Sequence, residues 1–255
     1  MTASDAIRAR VGSLEGKIGL YYAVPATGEE LCINADMPLL AASVIKVPIM
    51  VEAFRQMEAG LLDRNRVIAI HREDKLPSCG ALTYLHDGLQ VTGIDLVTLM
   101  IILSDNTATN LMIDILGMDA INATIDALRL TGTRLNRKLF RPELSAQGIE
   151  NTVSARDMGS LLRRMLAGEL ISPAASDEML QILGDQRLNG KLPFYLHSQD
   201  IDVAHKTGED DGITHDVGVI FTKPPCILCF LSNETNVPQT ERAMQDVAAI
   251  AAGLF

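Results

Sequence analysis

Ser43 and Lys46 stand three positions apart in the stretch AASVIKVPIM, residues 41 to 50. A serine hydroxyl is a weak nucleophile until a base takes its proton, and a lysine deprived of its charge by burial can be that base. If a helix starts near residue 42, the two side chains lie on one face about a turn apart, where they can meet. Ser43 then sits at a helix N-terminus, whose unpaired N–H groups favour a developing oxyanion. Pro48 removes one early backbone donor and should tilt or tighten the first turn. Ser-x-x-Lys alone carries little weight, because at average residue usage it arises about once by chance in a chain this long. A helix cap followed by a lysine snorkelling to the surface would explain it equally well. Two further triplets change the weighting: Ser104-Asp105-Asn106 at a junction of two helical segments, and Lys206-Thr207-Gly208 at the end of a strand-like run.

The elements that must bring these triplets together are legible in the surrounding pattern. IGLYYAV (18 to 24) and ELCIN (30 to 34) read as a hairpin turned through Pro25 to Gly28, preceded by a helical segment over 3 to 15 that Ser4 or Asp5 can cap. From about 43 to 184 the pattern is almost wholly helical. Thr92 with Asp95, Asp105, Asp119, Ser154 with Asp157, and Ser172-Pro173 mark helix starts, while Gly117, Gly132, Gly168 and Gly184 mark stops. One long irregular stretch, RKLFRPELSAQGIENT (137 to 152), interrupts the series, and such loops are often functional. Strand character returns in DVAHKTG (202 to 208), HDVGVIF (215 to 221) and CILCFLS (226 to 232), before a C-terminal amphipathic helix. The expected fold is α+β: an antiparallel sheet of about five strands flanked by terminal helices, with an inserted all-helical part. We expect one catalytic domain over 1–255, with its α/β part at 1–42 and 190–255 and its helical part at 43–189.

Bulk properties exclude several functions. The 255 residues are 47% hydrophobic and carry a net charge of −10, so the basic field that gathers nucleic acid is missing. The longest apolar run, LVTLMIIL at 96 to 103, is too short for a bilayer span. MTASDAIRAR lacks a basic start and a long apolar run, which leads to the expectation of a cytoplasmic protein, or of a periplasmic or secreted one if a leader was removed. Cys226 and Cys229 have metal-like spacing but fall in a strand-like run, where positions three apart face opposite sides. No metal or other cofactor is expected. His71, His86 and His197 read as loop residues, whereas His205 and His215 flank the Lys-Thr-Gly strand, with structural roles favoured.

Ser-x-x-Lys, Ser-Asp-Asn and Lys-Thr-Gly, in this order and in these structural contexts, are the motifs of class A β-lactamases and penicillin-binding proteins. The chain resembles that superfamily over essentially its whole length, and class A most closely. The resemblance implies that Ser43 is the acylated nucleophile, Lys46 its proton acceptor or relay, and Ser104 the group that passes the proton to the leaving nitrogen. It further implies that Asn106 binds a side-chain amide of the substrate and that Lys206 and Thr207 hold its carboxylate. Gly208 and the backbone of Glu209 belong to the same binding strand, and the N–H groups of Ser43 and Glu209 form the oxyanion hole. The implied substrates are small molecules, β-lactams or related peptides and esters.

One departure bears directly on turnover. Class A enzymes carry Glu-Pro-Glu-Leu-Asn in the long loop, and the first glutamate positions the hydrolytic water. Here the matching residues are Arg141-Pro142-Glu143-Leu144-Ser145, and an arginine cannot deprotonate water. Three readings stay open. Glu143 or Glu150 substitutes as the base, giving weak lactam hydrolysis; Lys46 serves both half-reactions in a D-alanyl peptidase, amidase or esterase; or the acyl-enzyme persists in a lactam-binding protein. On spacing alone, Glu143 as a solvated or salt-bridged carboxylate is favoured over Glu143 as a base.

Overall fold

The computed structural model describes residues 2–255. Helix α1 (Ala3–Val11) is capped by a reciprocal pair: Thr2 Oγ1 accepts from Asp5 N, and the Asp5 carboxylate accepts from Thr2 N. The cap therefore lies one turn earlier than the Ser4 or Asp5 expected, and Asp5 fills the acidic third position of the box. Strands β1 (Lys17–Val24) and β2 (Glu29–Ile33) form the expected hairpin. The two-residue strand β3 (Leu39–Leu40) then leads into a 3-10 turn over Ala42–Ile45 that passes into α2 (Lys46–Glu58). Pro48 is the third residue of α2, where an N–H has no partner inside the helix, so the tightening falls before the helix rather than within it.

The middle of the chain is less uniformly helical than its pattern suggests. Strands β4 (Val67–Ile70) and β5 (Leu89–Thr92) pair antiparallel across the intervening residues 71–88, each with only four residues and so too short to stand out between helical segments. After it come α3 (Gly93–Ile102), started by the Thr92 and Asp95 capping box, and α4 (Asn106–Leu116), capped by Asp105 and stopped at Gly117. Helix α5 (Met118–Ala127) ends before the expected Gly132. The irregular stretch contains one helical turn, α6 (Pro142–Ser145), and ends in β6 (Thr152–Val153), which pairs with β3. Ser154 caps α7 (Ala155–Leu166), and Ser172 with Pro173 opens α8 (Pro173–Gly184). Strands β7 (Val203–Asp210), β8 (Ile213–Ile220) and β9 (Cys226–Asn233) follow, then α9 (Val237–Ala251). No helix is long and apolar enough to cross a membrane, among the described residues.

The main sheet has the order β2-β1-β9-β8-β7, antiparallel throughout. Both of its faces are buried, which is why β9 reads as an almost unbroken apolar run. Leu228 and Phe230 pack with Ile7 of α1 and Met244 of α9, while Ile227, Cys229 and Leu231 join the core shared with α2 and α7. Cys226 and Cys229 consequently enter different cores on opposite faces of β9, the geometry that forbids a shared metal. Each large apolar side chain buried this way contributes about 1.5–3 kcal/mol, so the sheet is a firm platform. Strand β7 lies at its edge, against the 3-10 turn that carries Ser43.

Candidate active site

Ser43 sits in the 3-10 turn and Lys46 is the first residue of α2, so one continuous turn of backbone places Lys46 Nζ 2.9 Å from Ser43 Oγ. The lysine is fully buried. Its amine also lies 2.7 Å from Ser104 O, 2.9 Å from Ser104 Oγ and 2.9 Å from Asn106 Oδ1. The orientation of that amide follows from Asn106 Nδ2 donating to Pro77 O. Ser104 O and Asn106 Oδ1 can only accept, so they take both N–H bonds of a neutral amine and leave its lone pair for a hydroxyl. Burial, reinforced by the positive charge of Lys206, pushes the Lys46 pKa well below its ordinary value. A neutral amine 2.9 Å from a serine hydroxyl is a base within proton-transfer reach.

Ser104 stands between two lysines, with Lys206 Nζ donating to its Oγ across 3.0 Å. Its backbone is left-handed, φ 54°, a conformation that costs about 1–3 kcal/mol in a residue with a Cβ. Asp105 holds the loop in place: its carboxylate accepts from Ala81 N, Leu82 N and Ala108 N. Asp105 is therefore an organiser of the loop, and the Ser104 hydroxyl is aimed by the backbone that Asp105 secures. Burial lowers the Lys206 pKa to about 7 against the opposing pull of Asp216.

Strand β7 closes the other side. A Cβ at Gly208 would lie 3.3 Å from Ser43 N and 3.2 Å from His215 Cδ2, so strand and turn approach closely and any side chain there would crowd them. Lys206, Thr207 and Gly208 are buried beneath the opening, whereas Asn106 and Glu209 reach its wall. The Glu209 side chain is drawn to Lys191 at 3.0 Å. The cavity measures about 580 Å³, and its outer wall is formed by Arg141, Pro142, Ser145 and Glu150 of the long loop.

Glu143, the residue named from sequence as a substitute base, does not form part of that wall. It is half-exposed and hydrogen-bonded to Arg141, which holds its carboxyl below the usual carboxylate range. Glu150 does reach the cavity, but both of its oxygens are occupied: one accepts from Ser145 Oγ, the other from Arg137 Nη2 at 2.5 Å and Nε at 3.1 Å. Asn151 completes this clasp at the loop's neck by accepting from Asn136 N and Arg137 N.

The structure also supplies residues that the sequence did not single out. Lys191, buried, donates to Gly208 O at 3.1 Å and His215 O at 3.2 Å and so braces β7 against β8. Nothing around Lys191 in the sequence distinguishes it from a surface lysine. His205 pairs with Asp216 at 2.8 Å and with Asn189 at 3.0 Å, and His215 is buried among backbone groups.

Ser43, the desolvated Lys46 and Ser104 thus meet beside β7, the edge strand of an antiparallel sheet. The beta-lactamase enzyme family matches residues 2–255, and the chain belongs to that family, as a class A β-lactamase-like serine hydrolase. The beta-lactamase structure from Sphaerobacter thermophilus is 32% identical, covers 99% of this chain and 97% of its own, and superposes with a TM-score of 0.88. A leucine-to-glutamate mutant of PBP-A, solved as an acyl-enzyme complex with penicillin G, is 27% identical over 99% of this chain and 96% of its own, with a TM-score of 0.87. The beta-lactamase of Rhodobacter capsulatus is 27% identical over 183 residues, 70% of this chain, and the match spans 61% of that protein's length.

Proposed function

We propose that the protein opens β-lactams by acylating Ser43 and hydrolyses the resulting ester slowly. The observation that carries this reading is the buried Lys46 amine, 2.9 Å from Ser43 Oγ, with both of its N–H bonds matched to acceptors. Lys46 takes the Ser43 proton as Oγ attacks the lactam carbonyl, and the N–H groups of Ser43 and Glu209 receive the oxyanion. Ser104, in reach of both lysines, returns the proton to the departing ring nitrogen. Lys206 and Thr207 hold the substrate carboxylate, and the Asn106 amide meets the acyl side chain at the cavity wall.

Slow deacylation follows from the loop. Arg141 stands where the resemblance places the base, Glu143 is tied to Arg141, and both Glu150 oxygens already accept hydrogen bonds. This same observation favours a second reading, a lactam-binding protein whose acyl-enzyme persists; PBP-A, with penicillin G on its mutant, is a relative in which such an adduct was captured. An intact-mass time course with excess benzylpenicillin, beside a Ser43→Ala control, tests both. An adduct on the wild type that decays over minutes to hours supports slow hydrolysis, and one that never decays supports the binding protein. With no adduct, D-alanyl peptides and esters become the substrates to examine on the same Ser43 and Lys46.

The lysines also set a pH profile. Lys46 must be neutral to act, and Lys206 must be charged to hold a carboxylate. The Lys206 pKa of about 7 means its charge is present below that pH and lost above it. The second-order acylation rate should therefore fall as pH rises through about 7, and Lys206→Arg, charged at all working pH values, should flatten that limb. A wild-type profile that keeps rising to pH 9 would remove Lys206 from carboxylate binding.

A further inference from the structure

The residue before the nucleophile, Ala42, has φ 41°, a left-handed backbone in a side chain that disfavours it. Such a conformation persists only where its surroundings hold it. The segment leading into it is gripped at three points. Leu40 N donates to Asn233 Oδ1 at 2.8 Å, Ala41 N donates to Asn151 O at 2.9 Å, and Leu40 O accepts from His215 Nε2 at 2.7 Å.

We infer that His215 is a positioning residue, whose neutral imidazole pins the Leu40 carbonyl and thereby keeps the Ser43 N–H aligned in the oxyanion hole; this rests on the acyl-transfer reading above. Three observations carry it. His215 Nε2 faces the Leu40 carbonyl, which can only accept, so the proton of the neutral ring sits on Nε2; Nδ1, which also lies 3.0 Å from Thr214 O, then accepts from Ser232 N at 3.0 Å. The ring edge lies close to Gly208 of β7, where a Cβ would come within 3.2 Å of His215 Cδ2 and 3.3 Å of Ser43 N, so the imidazole and the nucleophile's amide both approach the same point of that strand. His215 is completely buried, and its ring bonds backbone rather than a carboxylate. Burial and the nearby Lys191 charge lower its pKa to about 4, which keeps the ring neutral at neutral pH. The ring thus joins β8, β9 and the strand entering the active-site turn, contacts that a merely space-filling side chain would not make.

The test separates the two hydrogen bonds. In His215→Gln the amide nitrogen can still donate to Leu40 O; in His215→Asn the shorter side chain can accept from Ser232 N but does not reach Leu40; His215→Phe fills the space and does neither. Single-turnover acylation by benzylpenicillin is followed by intact mass, with melting temperature and half-saturating concentration measured for each variant. We expect the Asn and Phe variants to lose about 100-fold in the limiting acylation rate, with half-saturation little changed, and Gln to recover most of the loss, as for loss of one oxyanion donor. Folded Asn or Phe variants acylating at the wild-type rate would overturn the assignment. So would rates that follow melting temperature alone, with Gln no better than Asn at equal stability. If the wild type takes no adduct from benzylpenicillin, the lactam reading fails; the variants are then compared with p-nitrophenyl acetate, whose acetyl transfer uses the same oxyanion hole. The rank order Gln above Asn and Phe is expected there too, and its absence overturns the role of His215.

Discussion

Lys46→Ala should abolish acylation of Ser43 while leaving the protein folded. General-base catalysis contributes about 10²–10⁴-fold, and Lys46 is placed to be the base for attack, so a loss near the upper end is expected. No second base within the site compensates: Lys206 Nζ is bonded to Ser104 Oγ and Thr207 O, and Glu150 is locked by Arg137. The fold should survive because the amine is costly to bury even when neutral, and its partner Asn106 lines a cavity wide enough to admit water. Removing a buried side chain of this size should lower Tm by several degrees, at about 2–4 °C per kcal/mol for a chain of this size. Intact mass after a fixed exposure to benzylpenicillin, with a melting curve for each protein, reads both effects. Full-rate acylation by Lys46→Ala would take Lys46 out of the mechanism.

The second large effect should come from Arg141→Glu, in the half-reaction that we propose is slow in the wild type. Arg141 lies on the cavity wall immediately before Pro142, and its guanidinium can only donate protons. A glutamate there places an acceptor beside the water that must attack the Ser43 ester, and it removes the partner that now engages Glu143. Loss of the adduct should accelerate by about 100-fold or more, in the range that a positioned general base supplies. Acylation should change little, because Arg141 is not bonded to Ser43, Lys46 or Ser104. Arg141→Gln is the informative control, since it deletes the positive charge without adding a base. Equal acceleration by Gln and Glu would mean that the charge of Arg141, and not the missing base, limits turnover. An unchanged adduct half-life in Arg141→Glu would show that this loop does not reach the ester.

Much of this chain was legible locally. The strands of the main sheet announced themselves as apolar runs between turn formers, and β9 could be separated from a metal motif because its side chains alternate. Helix starts at Thr92, Asp105, Ser154 and Ser172 follow from side chains capping backbone two or three residues away. Ser43 and Lys46 belong to the same category, since one turn of helix brings them together. The four-residue strands β4 and β5 escaped because strands that short have too few residues to display a period.

The active site itself was decided by approach across the chain. Ser104 lies 58 positions beyond Lys46, and Lys206 a further 102, yet all three meet at one amine and one hydroxyl because α2, the start of α4 and β7 pack around a common core. Within the long loop itself, Glu143 pairs with Arg141 and Glu150 with Arg137 and Ser145, partner choices that spacing alone did not specify. Packing also made Lys191 a brace between β7 and β8 and joined His215 to the Leu40 carbonyl, contacts that their neighbours in sequence do not reveal. Capping and periodicity act over a few residues and are written in composition and spacing. Desolvation, partner choice and the aim of a side chain depend on groups far away in the chain, so the chemistry was named by the sequence and its geometry settled only by the tertiary structure.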